Sequence, residues 1–200
     1  GPTASGKSGL ALALAERLDG VVINADSMQV YEELFIGTAR PGPGEMQGIP
    51  HHLMGFLPLT ASYSVAQYVQ DAHAVIRDIH IRGQLPIVCG GTGLYIGALA
   101  DNLQFTPDNP DAALRRELRH RAETEGGAAL LKELEAVDPE TASRLHENDS
   151  GRIIRALELV KSTGLTMSEQ LRRSRRQPTP YAACYLLLDA RDRQVLYDRI

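Results

Sequence analysis

"GPTASGKS", residues 1–8, sets Gly1, Gly6, Lys7 and Ser8 at the spacing G-x-x-x-x-G-K-[ST]. Glycines let the backbone N–H groups of such a loop turn inward around phosphate oxygens. The helix that follows presents its positive N-terminal end, Lys7 adds a point charge, and Ser8 offers a hydroxyl to Mg²⁺. A loop of this kind joins a strand to a helix, so it predicts an α/β core that binds a phosphate. A nucleotide is the obvious ligand, but the loop alone leaves the ligand's identity open.

Working outward, Leu10, Leu14 and Leu18, with Ala11 and Ala15 between, predict a helix that stops at Asp19-Gly20. "VVINADS" (21–27) reads as a buried parallel strand. Ser64 and Gln67 form a capping box ahead of Val65, Tyr68, Val69, Ala72, Ile76 and Ile79, a helix that Gly83 ends. "LPIVCGGTG" (85–93) is a second buried strand running into a glycine turn, and "LYIGALA" starts another helix. This alternation predicts a P-loop NTPase-like α/β fold with a parallel sheet. From 102 to 179 only helical stretches are expected, at 110–125, 128–137, 139–144, 150–163 and 167–173; "ACYLLLDA" (183–190) returns to strand character. The division is thus a core of 1–101 with 180–200 and an all-helical insertion of 102–179, jointed at the proline-rich "FTPDNP" and "RRQPTP". Both ends are expected to be truncated: no strand precedes Gly1, and the helix begun near Asp192 stops short at Ile200.

Among the 200 residues 43% are hydrophobic and 23% charged, as in ordinary soluble globular proteins. No apolar run nears the roughly 20 residues of a membrane span and no leader precedes the loop, so a cytoplasmic monomer with no membrane contact is expected. Cys89 and Cys184 lie in apolar runs and are expected to be two buried thiols. The net charge of −4 excludes a broadly cationic surface. Basic residues nevertheless cluster in "LRRELRHR" (Arg115, Arg116, Arg119, His120, Arg121) and "LRRSRR" (Arg172, Arg173, Arg175, Arg176). Each run reads as a solvated helix face or an RNA contact.

Asp26 ends a predicted strand, on the sheet edge where ligands of open α/β folds bind. It is a candidate Mg²⁺ ligand, a general base, or the cap of the next turn. Thr92, in "GGTG" at the end of the later strand, is placed to approach the same crevice.

"GPTASGKS", "INADSMQVYEELFIGTARP", "PHHL", "LPIVCGGTGLYI" and "NDSGRIIRALE", in this order and at these separations, resemble the tRNA dimethylallyltransferases, also called tRNA isopentenyltransferases. The resemblance spans nearly all of the chain. It implies transfer of a dimethylallyl group from dimethylallyl diphosphate to N6 of adenosine 37 in tRNA, with release of diphosphate. Gly1, Pro2, Thr3, Ala4, Ser5, Gly6, Lys7 and Ser8 would cradle the diphosphate, with Mg²⁺ beside Ser8. By the same resemblance Asp26 is the base, Thr92 and Arg115 are catalytic, and Asp26, Ser27, Met28 and Gln29 meet the target adenosine. Gly151, Arg152, Ile153, Ile154 and Arg155 contact the anticodon stem-loop. Two departures are visible: Gly55 stands where an acidic residue is expected, and the spacing "PDNPDAALRR" before Arg115 is one residue longer than the family pattern. His51 and His52 read as structural turn or core histidines. An adenylate isopentenyltransferase, a phosphate-loop kinase holding ATP, and a non-enzymatic nucleotide switch are the alternatives.

Overall fold

The computed structural model describes residues 4–105, 111–175, 177–189 and 192–198, and within these the chain is α/β. It divides into two compact units, Gly1–Leu103 with Thr179–Ile200, and Gln104–Pro178.

In the first unit, helix α1 (Lys7–Leu18) leads into strand β1 (Gly20–Asn24) through Asp19, which takes a left-handed conformation. Strand β2 (His51–His52) and strand β3 (Leu85–Cys89) flank β1 and both run parallel to it, in the order β2-β1-β3. All five residues of β1 are buried, as suits a parallel strand covered on both faces. Side chains alternate across the sheet, so Val22 packs with Ala11 and Ala15 of α1 while Val21 and Ile23 point the other way. Helix α2 (Val65–Ile81) begins at the predicted box, with both reciprocal hydrogen bonds between Ser64 and Gln67, and Gly83 follows its end at φ +74. Its buried stripe, Tyr68, Val69, Ala72, Ile76 and Ile79, is the predicted one. Helix α3 (Gly93–Ala100) follows the glycine turn.

The second unit holds helices α4 (Ala112–Thr124), α5 (Gly127–Val137), α6 (Pro139–Ala142), α7 (Ser150–Thr163) and α8 (Met167–Ser174), with no strand among its described residues. Leu118, Leu130, Leu134, Ile153 and Leu157 form its core. Asp138, 2% exposed, ties α6 to α8: it accepts hydrogen bonds from the N–H and hydroxyl of Thr141 and from the Ser168 N–H.

Four expectations are corrected. Residues 183–189 form no strand, and Tyr185, Leu186 and Leu187 are 60–82% exposed; Cys184 is an exposed thiol and Cys89 a half-buried one, rather than two buried thiols. Apolar pattern reports which side chains favour a strand, whereas pairing needs a neighbouring edge at the right place. His51 and His52 are half-buried strand residues, not a turn. The first strand ends at Asn24 instead of running to Ser27. Residue 190, the joint at 106–110 and Arg176 lie outside the described residues. A short helix α9 (Arg193–Tyr197) occurs near the end of the chain.

Two outcomes follow from this packing. A Cβ on Gly90 would lie 2.1 Å from the Ala25 carbonyl oxygen and 2.7 Å from its Cα, both backbone atoms that cannot swing away. Gly90→Ala is therefore expected to cost about 1–3 kcal/mol of stability, read as a lower urea midpoint with the same slope. For Asp138, burial opposes ionisation, but the Thr141 and Ser168 hydrogen bonds outweigh it and hold the carboxyl below its usual range. A depressed acid stabilises the fold above its unfolded value of about 4 and loses that contribution as pH falls through the folded value. Asp138→Ala should lose about 1–3 kcal/mol at pH 7, with the deficit shrinking below about pH 4 in unfolding titrations.

Candidate active site

The last ladder hydrogen bond at the end of β1 runs from the Ala25 N–H to the Cys89 carbonyl, 2.8 Å. Beyond it the buried side chain of Asn24 replaces the ladder. Its Oδ1 accepts the Asp26 N–H at 3.0 Å, and its Nδ2 donates to the Asp26 carbonyl at 3.0 Å and the Leu53 carbonyl at 2.9 Å. With its backbone satisfied in this way, Asp26 leaves the sheet. Its Oδ1 accepts the Met28 N–H at 2.9 Å, a local turn bond, while Oδ2 faces Gly91, 3.4 Å from where a Cβ there would stand. Asp26 thus caps its own turn with one oxygen and directs the other toward the "GGTG" segment.

Thr92 precedes α3 but does not cap it with its hydroxyl. That hydroxyl accepts the Ser27 N–H at 2.9 Å and donates to Ser27 Oγ at 3.2 Å, while the Thr92 N–H donates to the Ala25 carbonyl at 3.0 Å. The structure therefore brings Asp26, Ser27 and Thr92 together. Tyr95, one helical turn after Thr92, is a site neighbour that the sequence reading passed over. Burial, and after it Tyr31 and the Asp26 carboxylate, push its phenol above the usual range, and its ring stacks on Tyr68 at 4.1 Å. The i, i+3 spacing from Thr92 is the signal that could have found it. Met28 is exposed, and the Gln29 amide donates to the Thr38 carbonyl at 2.9 Å, bracing this loop. Gly55, at φ +56, leaves room for Arg40: a Cβ there would stand 2.2 Å from the Arg40 guanidinium, which donates to the Tyr31 and Glu32 carbonyls.

Gly1, Pro2 and Thr3 lie outside the described residues. In the rest of the loop Ala4 and Gly6 are left-handed at φ +60 and +89, and Gly6 begins α1 with no side-chain cap and no acid in the first turn. Ser5 Oγ is buried without a hydrogen-bond partner. An orphaned hydroxyl beside an uncapped helix N-terminus suits an anion bearing several oxygens. Burial raises the Cys89 thiol, and the Lys7 charge opposes that rise, so Lys7 acts at the end of β3. Asn24 and Cys89 are paired in register, which puts the loop lysine, the Asp26 turn and the Thr92 turn on one edge of the sheet. Ser8 is exposed in the first turn of α1. Among the described residues there is no group of three His, Cys, Asp or Glu that could hold a metal ion.

In the helical unit, Ile153 and Ile154 are core residues at 0% and 7% exposure, so the expected RNA-contacting segment narrows to the side chains of Arg152 and Arg155 and the exposed Gly151. Arg152 sits in the first turn of α7, which has no acidic residue; the preceding Asp149 spends its carboxylate on the His146 N–H. Arg115 of α4 is held by Glu158 of α7, through Nη2 at 2.6 Å. Arg172 pairs with Glu140 at 2.6 Å, both exposed, which is the solvated-face reading for that residue.

Comparison with known proteins agrees with this architecture. The IPP transferase family model matches residues 29–200, and the isopentenyl transferase model residues 1–55. A tRNA dimethylallyltransferase from Rhizobium etli is 50% identical over 173 residues, covering 86% of this chain and 58% of that protein. The full-length tRNA isopentenylpyrophosphate transferase from Bacillus halodurans is 38% identical, with a TM-score of 0.58 over 100% of this chain and 61% of its own. A eukaryotic dimethylallyltransferase solved acting on tRNA is 33% identical, with a TM-score of 0.71 over 90% of this chain and 44% of its own. The chain spans 57% to 67% of the length of the curated relatives it matches. With a match that runs through residues 29–200, the chain belongs to the IPP transferase family.

Proposed function

We propose that the protein transfers a dimethylallyl group from dimethylallyl diphosphate to N6 of adenosine 37 in tRNA. The observation that supports this most is the turn of the Asp26 carboxylate out of the sheet, on the edge that also carries the phosphate loop and Thr92. The adenine amine has its lone pair drawn into the ring, so it attacks carbon well only if a base removes a proton as the bond forms. In this reading the N6–C1 bond forms, the allylic C1–O bond breaks, the diphosphate departs whole, and the N6 proton passes to Asp26. Lys7 and the amides at the start of α1 stabilise the negative charge that grows on the departing diphosphate. The buried Ser5 hydroxyl, which has no hydrogen-bond partner of its own, would donate to the same oxygens. Thr92 and Asn24 hold the Asp26–Gln29 segment in place.

Ser8 fits a Mg²⁺ site of the kind completed by phosphate oxygens and water, which needs only one or two protein oxygens. Bound there, Mg²⁺ would supply charge neutralisation for the diphosphate. Arg152 and Arg155 would take RNA phosphates: a cation in the first turn of α7 is unfavourable against the helix dipole, and an anion at that end relieves the conflict. The helical unit would then grip the anticodon stem-loop while the target base is splayed from its stack.

Incubation with radiolabelled dimethylallyl diphosphate and unmodified tRNA should label adenosine 37. Labelling of AMP instead, or phosphate transfer from ATP without prenylation, would overturn the reading. Asp26→Ala is expected to lower kcat by about 10² or more while donor and tRNA affinities stay within a few-fold. Arg152→Ala should weaken tRNA binding and reduce the slope of log Kd against log salt by about 1, measured by filter binding over a salt series.

A further inference from the structure

Glu158 is a carboxylate in the wrong solvent: its side chain is 1% exposed, within the apolar core of the helical unit. One oxygen, Oε2, takes every hydrogen bond it is seen to receive, from Arg115 Nη2 at 2.6 Å, Arg115 Nε at 3.2 Å and Arg155 Nη1 at 3.2 Å. The other, Oε1, is buried with no hydrogen-bond partner. A buried ion pair recovers its desolvation cost only when its lone pairs are well satisfied, so this arrangement is poor as a stabilising device. What it does achieve is placement. Arg115 comes from α4 and Arg155 from α7, and each guanidinium remains about one-third exposed, at 38% and 34%. Two like charges this close would repel, and the shared carboxylate offsets that repulsion and holds them together.

We propose that Glu158 is a positioning residue for RNA: its buried carboxylate sets the Arg115 and Arg155 guanidiniums side by side so that the pair takes one backbone phosphate. This rests on the RNA-contact reading of α7 given above. A planar guanidinium binds phosphate through its fork, so affinity depends on how the fork is aimed as well as on its charge.

Glu158→Gln separates position from charge. Removing a negative charge beside two arginines should by electrostatics alone tighten binding to a polyanion. Loss of placement should weaken it. The expected result is a tRNA Kd raised about tenfold near physiological salt, with the Kd for dimethylallyl diphosphate unchanged and kcat at saturating tRNA within about twofold. An equal or lower tRNA Kd, accompanied only by a lower melting temperature, would overturn the proposal in favour of a purely structural role. A raised diphosphate Kd would overturn it too, since the pair would then serve the donor. Should Glu158→Gln not fold, Arg155→Lys keeps the charge and loses the fork: tRNA affinity should fall several-fold at unchanged melting temperature. Unchanged affinity in that variant would overturn the proposal. Failure of the unsubstituted protein to bind tRNA would instead overturn the RNA-contact reading on which it rests.

Discussion

One buried amide decides where the sheet stops and where the Asp26 turn starts. Asn24 sits at the last position of β1, 1% exposed, and its side chain bonds both backbone groups of Asp26 and reaches across to the Leu53 carbonyl. An unpaired backbone group in that setting would carry a full desolvation penalty, so the chain cannot leave a buried strand without a substitute for the ladder. Asn24 is that substitute. It lets Asp26 face outward at a fixed angle one residue after the last ladder bond, and it ties the 51–57 segment to the same point. Gly90 meets the other half of the constraint, because the backbone at Ala25 comes closer to residue 90 than any side chain would tolerate.

From that junction the rest of the site follows by proximity. The close approach at Gly90 brings Thr92 within reach of Ser27, and the threonine hydroxyl bonds there in preference to capping α3. A helix that gives up a cap of about 1 kcal/mol in this way has a competing use for the hydroxyl. Lys7 acts at the end of β3, in register with Asn24, so the phosphate loop shares the edge. The helical unit follows a different logic. Its core is ordinary leucine and isoleucine packing, and its unusual feature is a carboxylate placed inside that core to hold two arginines.

Much of this was legible in advance. The leucine and alanine spacing of α1, the Ser64 capping box and the helical run at 150–163 are local signals, set by periodicity and by groups a few residues apart. The site was legible as a set of motifs but not as a geometry. Asp26 read equally as base, metal ligand or cap, and the structure shows one oxygen capping the Met28 turn and the other facing Gly91. Ile153 and Ile154 could not be told from their contact-making neighbours until α7 had a buried face. The apolar run at 183–189 read as a strand on side-chain preference alone, yet it forms no strand and most of its residues are exposed.

Sequence alone determined most of the helices and the two longer strands, because helical periodicity, capping and apolar runs bounded by glycine act over distances of a few residues. Tertiary structure alone decided which groups meet: Thr92 with Ser27, 65 residues apart, and Arg115 with Glu158, 43 apart. The physical reason is range. A hydrogen bond between distant residues depends on where two separately built elements come to rest, and that is settled by burial, by close backbone approach at a glycine, and by the need to satisfy each polar group taken out of water.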